Sequence, residues 1–112
     1  MNKIEFGDCR EIMRKWAFDN VKVQMCVTSP PYYDLEVYSH EETQSVTGCT
    51  SYQMWVDKFL SPLVQSSLQT LKPNGWSCWN VHNVGKMQMI DDVAKMISEF
   101  VKEYRTLPEE DR

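Results

Sequence analysis

Two adjacent prolines, Pro30 and Pro31, follow the apolar segment Val21–Val27, separated from it by Thr28 and Ser29. Such a segment is typical of a buried β-strand. The prolines cannot continue a strand, because neither has a backbone N–H to donate and each has a fixed φ. The sequence therefore predicts a strand over Val21–Thr28 whose pairing stops at Ser29.

Polar and aromatic groups follow the predicted strand end. They are the Ser29 hydroxyl, the carbonyls of Pro30 and Pro31, and the rings of Tyr32 and Tyr33. In open α/β sheets, ligands bind at the carboxyl ends of strands. Hydroxyl and carbonyl oxygens can accept hydrogen bonds from an exocyclic amine, and an aromatic ring can stack on a flat base. The segment is a candidate nucleobase site; the alternative is a strand-ending turn with an exposed aromatic side chain.

Strand and helix patterns alternate along the chain. The predicted strands are Lys3–Phe6, Val21–Thr28 and Trp76–Val81, and the predicted helices run from Asp8 to near Trp16, from Thr50 to Leu71 and from Met89 to Tyr104. This alternation favours right-handed crossovers and a parallel sheet with both faces covered. The predicted fold class is α/β, with three or so parallel strands flanked by helices in three layers.

Local signals mark the limits of these elements. Capping boxes are predicted at Asp8 with Glu11 and at Thr50 with Gln53. Pro62 removes the backbone bond to the carbonyl of Lys58, so the long helix should kink or divide there. The segment Pro73–Gly75 is predicted to be a turn.

Length and composition set the class of protein. The 112 residues predict a single domain over 1–105 with a polar tail at 106–112, and the 42% hydrophobic content is sufficient for a core. The net charge is −4, and the sequence has no cluster of Lys and Arg. Both observations argue against binding of a DNA backbone by this chain alone. No apolar run is as long as a membrane span and no signal peptide is apparent, so a cytoplasmic location without membrane contact is predicted.

The four cysteines, Cys9, Cys26, Cys49 and Cys78, show no Cys-x-x-Cys spacing. Reduced, buried thiols are therefore predicted in preference to a disulfide framework or a zinc site. No metal site is predicted.

The motif Ser29-Pro30-Pro31-Tyr32 after an apolar strand resembles the catalytic motif of the DNA amino-methyltransferases, which use S-adenosyl-L-methionine (AdoMet) to methylate cytosine N4 or adenine N6. Serine in the first position is the form typical of the cytosine-N4 members. Gly7-Asp8 after a short strand, and Leu71–Gly75 before another, are similar to flanking segments of that family. The resemblance covers residues 4–84 and implies a partial, Rossmann-like methyltransferase fold.

The resemblance implies roles for these residues. The Ser29 hydroxyl and the Pro30 carbonyl would accept the two N–H bonds of a base flipped out of the duplex, Pro31 completes the catalytic motif, and Tyr32 would stack on the base. Asp8 would accept a hydrogen bond from the adenine of AdoMet as well as capping its helix. Catalysis would rest on orientation and electrostatics, without a covalent enzyme intermediate.

The cofactor loop is where the chain departs from the family. Family members carry a glycine-rich loop around the methionine part of AdoMet, whereas none of the four glycines here forms a Gly-x-Gly. A target-recognition region also has no counterpart. The resemblance therefore implies a catalytic-motif fragment of a DNA cytosine-N4 or adenine-N6 methyltransferase, inactive alone and with weak or no AdoMet binding. The alternatives are a non-catalytic binding or assembly module that keeps the fold, and an amino-methyltransferase of RNA or protein.

The resemblance also implies binding partners. DNA is the partner that the resemblance implies for a complete enzyme. Further strands of such an enzyme would lie beside those predicted here, and without them strand edges and parts of the apolar Trp55–Leu71 stripe should lack cover. A homodimer, or association with a complementary half, is therefore expected.

Overall fold

Helices pack on one face of a two-stranded parallel sheet. The computed structural model describes residues 4–31, 48–83, 85 and 87–111. In chain order these contain α1 (Cys9–Phe18), β1 (Val23–Thr28), α2 (Tyr52–Trp55), a π-helical turn (Val56–Leu60), α3 (Ser61–Gln69), β2 (Leu71–Trp79), α4 (Met89–Thr106) and a 3-10 turn (Glu109–Asp111). β1 and β2 pair in parallel, so the fold is mixed α/β.

The strand predicted at Lys3–Phe6 is not formed by its described residues. Ile4–Phe6 lie outside the sheet, and the side chains of Ile4 and Phe6 are 98% and 103% exposed. A segment of high β-propensity becomes a strand only where a neighbouring strand and a packed face receive it. The described part of the sheet therefore has two strands, where the sequence predicts three.

Capping side chains set the helix starts. The carboxylate Oδ1 of Asp8 accepts the backbone N–H of Arg10 at 2.9 Å, which confirms the N-cap predicted for α1. The second helix starts one residue later than predicted. Ser51, and not Thr50, is its N-cap, because the Ser51 hydroxyl accepts the N–H of Met54 at 3.1 Å from an extended backbone conformation.

Pro62 divides the long helix, as predicted. α2 passes into the π-helical turn, and α3 begins at Ser61, beside Pro62. Pro62 has no N–H for the carbonyl of Lys58, and Arg10 Nη1 donates to that carbonyl at 3.3 Å. The Arg10 guanidinium also lies 5.3 Å from the ring centroid of Phe59. The start of α1 is thereby attached to the point where the long helix changes geometry.

The hydrophobic core lies along this divided helix. Among the described residues, the buried hydrophobic side chains are Trp55, Val56, Phe59, Leu60, Leu63, Val64, Leu68, Met89 and Val93. Met13 of α1, Phe100 of α4 and Trp79 of β2 pack against them. The expectation that parts of the stripe lack cover is wrong, since neighbouring elements on several sides enclose it.

α4 begins at Met89 as predicted and continues two residues beyond Tyr104, to Thr106. Its start is fixed to α2, because the Tyr52 hydroxyl donates to Asp92 Oδ2 at 2.7 Å. Burial and this hydrogen bond raise the pKa of Tyr52. In the part of the chain that the structure describes, neither α4 nor any other helix combines the length and apolar character needed to cross a membrane.

β2 starts earlier than predicted and is irregular near its start. Val23 lies opposite Leu71, but Met25 lies opposite Trp76, so β2 uses more residues than β1 over this stretch. The surplus contains Pro73–Gly75, the predicted turn. Pro73 cannot donate to the ladder, so the register shifts without ending the strand.

The sheet has one covered and one open face. The register places Met25, Val27, Trp76 and Cys78 on the face here called the open face, and Cys26, Thr28, Ser77 and Trp79 on the covered face. The exposed fractions of Met25, Val27 and Trp76 are 54%, 69% and 66%. The prediction that β1 is a buried strand is wrong for this side, because no described element packs over it.

None of the four cysteines forms a disulfide, and none is fully buried. Cys26, Cys49 and Cys78 are half-buried and Cys9 is exposed, so the prediction of buried thiols is wrong. Partial burial, together with the nearby Cys78, raises the pKa of the Cys26 thiol.

Candidate functional site at the carboxyl edge of the sheet

β1 ends at Thr28, directly before the serine and the two prolines, as predicted. The N–H of Asn80 donates to the carbonyl of Thr28 at 2.8 Å, and this bond closes the ladder. Beyond it, Ser29 is exposed, Pro30 is buried and Pro31 is half-buried. The buried proline anchors the segment and leaves the Ser29 residue at the surface.

Asn80 is the neighbour of Ser29 at this edge. Thr28 opposite Trp79 is the last pair of the ladder, and Ser29 and Asn80 are the next residue of each chain segment. Both residues are exposed. A hydroxyl beside a carboxamide offers both donors and acceptors to a flat polar ligand. His82, two residues further along, is also exposed.

Tyr32, the fourth residue of the predicted motif, lies outside the described residues, as does Tyr33. The sequence predicts that Ser29 and Tyr32 face a common pocket, and this stays a prediction.

Asn83, which follows β2, has a structural role. Its Oδ1 accepts the N–H of Ile90 at 2.9 Å in the first turn of α4, and its Nδ2 donates to Gln88 Oε1 at 3.2 Å. The side chain thus satisfies a backbone donor that the helix start leaves without an intrahelical partner. It connects the carboxyl edge of the sheet to α4.

Asp8, the predicted contact to AdoMet, is bound by Arg10. Oδ1 accepts from the backbone N–H and from Nε of Arg10, at 2.9 and 3.0 Å, and Oδ2 accepts from Nη2 at 2.8 Å. The Arg10 guanidinium lowers the pKa of Asp8 by these hydrogen bonds, against the opposing effect of partial burial. Both carboxylate oxygens thus have a structural partner, and the contact of Asp8 with AdoMet stays a prediction.

The sequence pattern did not single out Arg10. Its position two residues after an N-cap aspartate is the available signal, because a guanidinium there can reach back to the carboxylate. Its contacts to Lys58 and Phe59 come from a segment far away in the chain, and no local pattern indicates them.

Asp8→Asn is expected to lower the free energy of unfolding by about 0.5–1 kcal/mol at pH 7, because the ion pair is lost while an oxygen remains to cap α1. The pKa of Asp8 is lower in the folded than in the unfolded chain, so this contribution is present above the unfolded pKa and disappears as the pH falls through the folded one. Urea unfolding should show the difference from wild type at pH 7 and its loss below about pH 4. Asp19→Asn, at an exposed carboxylate after α1, is the control; a gap that does not change with pH would contradict the ion pair.

Two surface pockets among the described residues lie away from the motif. One, of about 620 Å³, is lined at the amino end of the sheet by residues including Phe18, Lys22 and Leu71. The other, of about 150 Å³, lies between α3 and α4. Neither is lined by Ser29, Pro30 or Asp8. Over the described ranges, no group of three or more His, Cys, Asp and Glu side chains is placed to hold a metal ion.

Comparison with known proteins supplies no family. No protein-family model matches the chain, and neither the curated proteins nor the solved structures contain a match.

Proposed function

We propose that Ser29, Pro30 and Pro31 bind the exocyclic amine of a nucleobase and that the chain carries the catalytic motif of a DNA amino-methyltransferase of the cytosine-N4 or adenine-N6 type. The end of β1 at Thr28 carries the proposal. Ser29 follows this strand end and is exposed at the carboxyl edge of a parallel sheet, where Asn80 follows β2. The next residue, Pro30, is buried and anchors the segment.

Orientation of the amine is the chemistry that these residues can contribute. An exocyclic amine is a weak nucleophile, because its lone pair is delocalised into the ring. Hydrogen bonds from its two N–H groups to the Ser29 hydroxyl and the Pro30 carbonyl would favour a tetrahedral nitrogen with a localised lone pair. AdoMet would supply the methyl group, as the resemblance implies.

We also propose that a segment or partner other than these 112 residues holds the cofactor. The chain has no Gly-x-Gly with which to approach the methionine part of AdoMet, and the Asp8 carboxylate is engaged by Arg10. The chain alone is then inactive in methyl transfer.

A non-catalytic binding or assembly module is the second candidate. The Asp8–Arg10 pair favours it, because this pair gives the predicted cofactor residue a structural role. The open face also favours it, since an exposed apolar surface is suited to packing against another protein.

Titration of the ¹⁵N-labelled chain with 2′-deoxycytidine tests the proposal by NMR. Addition of the nucleoside should shift the amide signals of Ser29 and Asn80. Ser29→Ala should weaken the binding about 3- to 10-fold, the loss of one hydrogen bond. Ser98→Ala, at an exposed serine of α4, is the matched control and should leave the binding unchanged.

The proposal fails if the shifted signals lie away from the carboxyl edge, or if Ser29→Ala binds the nucleoside as wild type does. Titration with AdoMet in the same way should give weak or no shifts. Micromolar binding of AdoMet would instead show that this chain contains a cofactor site.

A further inference from the structure

The open face presents apolar side chains to solvent on a parallel sheet. Parallel strands normally have both faces covered, because both carry apolar residues. Here Trp79 of the covered face packs against the core, whereas Trp76 and Val27 of the open face remain largely exposed. We propose that a second copy of this chain packs on the open face and forms a two-fold dimer. This proposal does not depend on the methyltransferase function.

The exposed area fits the core of a small dimer interface. Trp76 is 66% exposed, and an aromatic side chain can bury about 150–250 Å². Together with Met25 and Val27, the open face offers roughly 400 Å² of apolar surface per copy, within the usual size of a functional patch. A standard interface buries about 800 Å² per partner, somewhat over half of it apolar. The open face thus supplies most of the apolar part of such an interface.

The chemistry of the face favours an identical copy. None of the four residues that form it is charged, so the net charge of −4 is carried elsewhere. Two uncharged faces can meet without like-charge repulsion, and in a two-fold dimer the same patch serves both partners. A polyanion such as nucleic acid would require basic side chains, which this face lacks.

Sedimentation equilibrium on wild type and two variants tests the dimer. Wild type should dimerise at micromolar concentration. Val27→Lys, on the open face, should raise the dimer dissociation constant about 30-fold or more, since it puts a charge into the apolar centre of the interface. Phe18→Lys is the control, because Phe18 is 90% exposed at the end of α1 and off the open face; this variant should dimerise as wild type does. Both positions are exposed, and far-UV circular dichroism verifies that the variants are folded.

A mixed dimer of ¹³C-methyl-labelled and unlabelled chains identifies the contact directly. Isotope-filtered NOEs should connect the Met25 or Val27 methyl groups of one copy to the open face of the other. A wild-type chain that stays monomeric at hundreds of micromolar would overturn the proposal, and so would equal weakening by Phe18→Lys. Filtered NOEs confined to residues outside the open face would also overturn it.

Discussion

Replacing Trp55 with alanine is expected to lower the free energy of unfolding by about 3–5 kcal/mol. The side chain is 0% exposed, and its ring centroid lies 5.6 Å from that of Phe59 and 5.9 Å from that of Tyr52. Its removal opens a cavity where α2 meets the π-helical turn, and the surrounding structure can refill that cavity only in part. Urea unfolding followed by far-UV circular dichroism measures the loss, at a protein concentration low enough to keep the chain monomeric.

The matched control is Trp76→Ala, the same truncation at an exposed position. It is expected to cost less than about 1 kcal/mol under the same conditions, because little packing is lost. Equal losses from the two variants would contradict the placement of the core along residues 55–68.

Gly75→Ala is expected to lower the free energy of unfolding by about 1–3 kcal/mol. A Cβ at this position would lie 2.7 Å from Leu71 Cγ and 2.8 Å from the backbone oxygen of Gln24. The Leu71 side chain can rotate away, but the Gln24 oxygen belongs to β1 and moves only if the strand pair is disturbed. Urea unfolding measures the loss, and amide NMR shifts should change along β1 and β2.

Asn74→Ala is the control for Gly75. The Asn74 side chain is exposed, and the Asn74 carbonyl, which accepts from Gln24 Nε2 at 3.2 Å, is retained in the variant. Its effect should stay within about 0.5 kcal/mol. If Gly75→Ala is as stable as wild type, the two strands do not approach each other as closely as the irregular register requires.

Local patterns predicted the elements whose causes are local. The N-cap at Asp8, the end of β1 before Pro30 and the start of α4 at Met89 were predicted from neighbouring residues, and all three are confirmed. The stripe from Trp55 to Leu68 is core, as its helical spacing indicates. Of the candidate site, the end of strand pairing before Ser29 follows from the proline pair, whereas the exposure of Ser29 is known only from the structure.

Other features required contacts between distant segments. The contacts of Arg10 with Lys58 and Phe59 have no counterpart in local spacing. The early start of β2 was not predicted either. Pro73 and Gly75 are typical of a turn, and only the register with β1 shows that they lie within a strand.

The sequence by itself determined the N-cap at Asp8, the end of β1 and the start of α4, because caps, prolines and periodicity act on neighbouring residues. Only the tertiary structure decided which apolar segments pair in the sheet and which of their faces are buried. Ile4 and Phe6 have the composition of a strand but lie outside the sheet, and the apolar alternation of β1 is covered on one side only. The physical reason is that burial depends on the elements available to pack against a face, and that set of elements is a property of the whole fold.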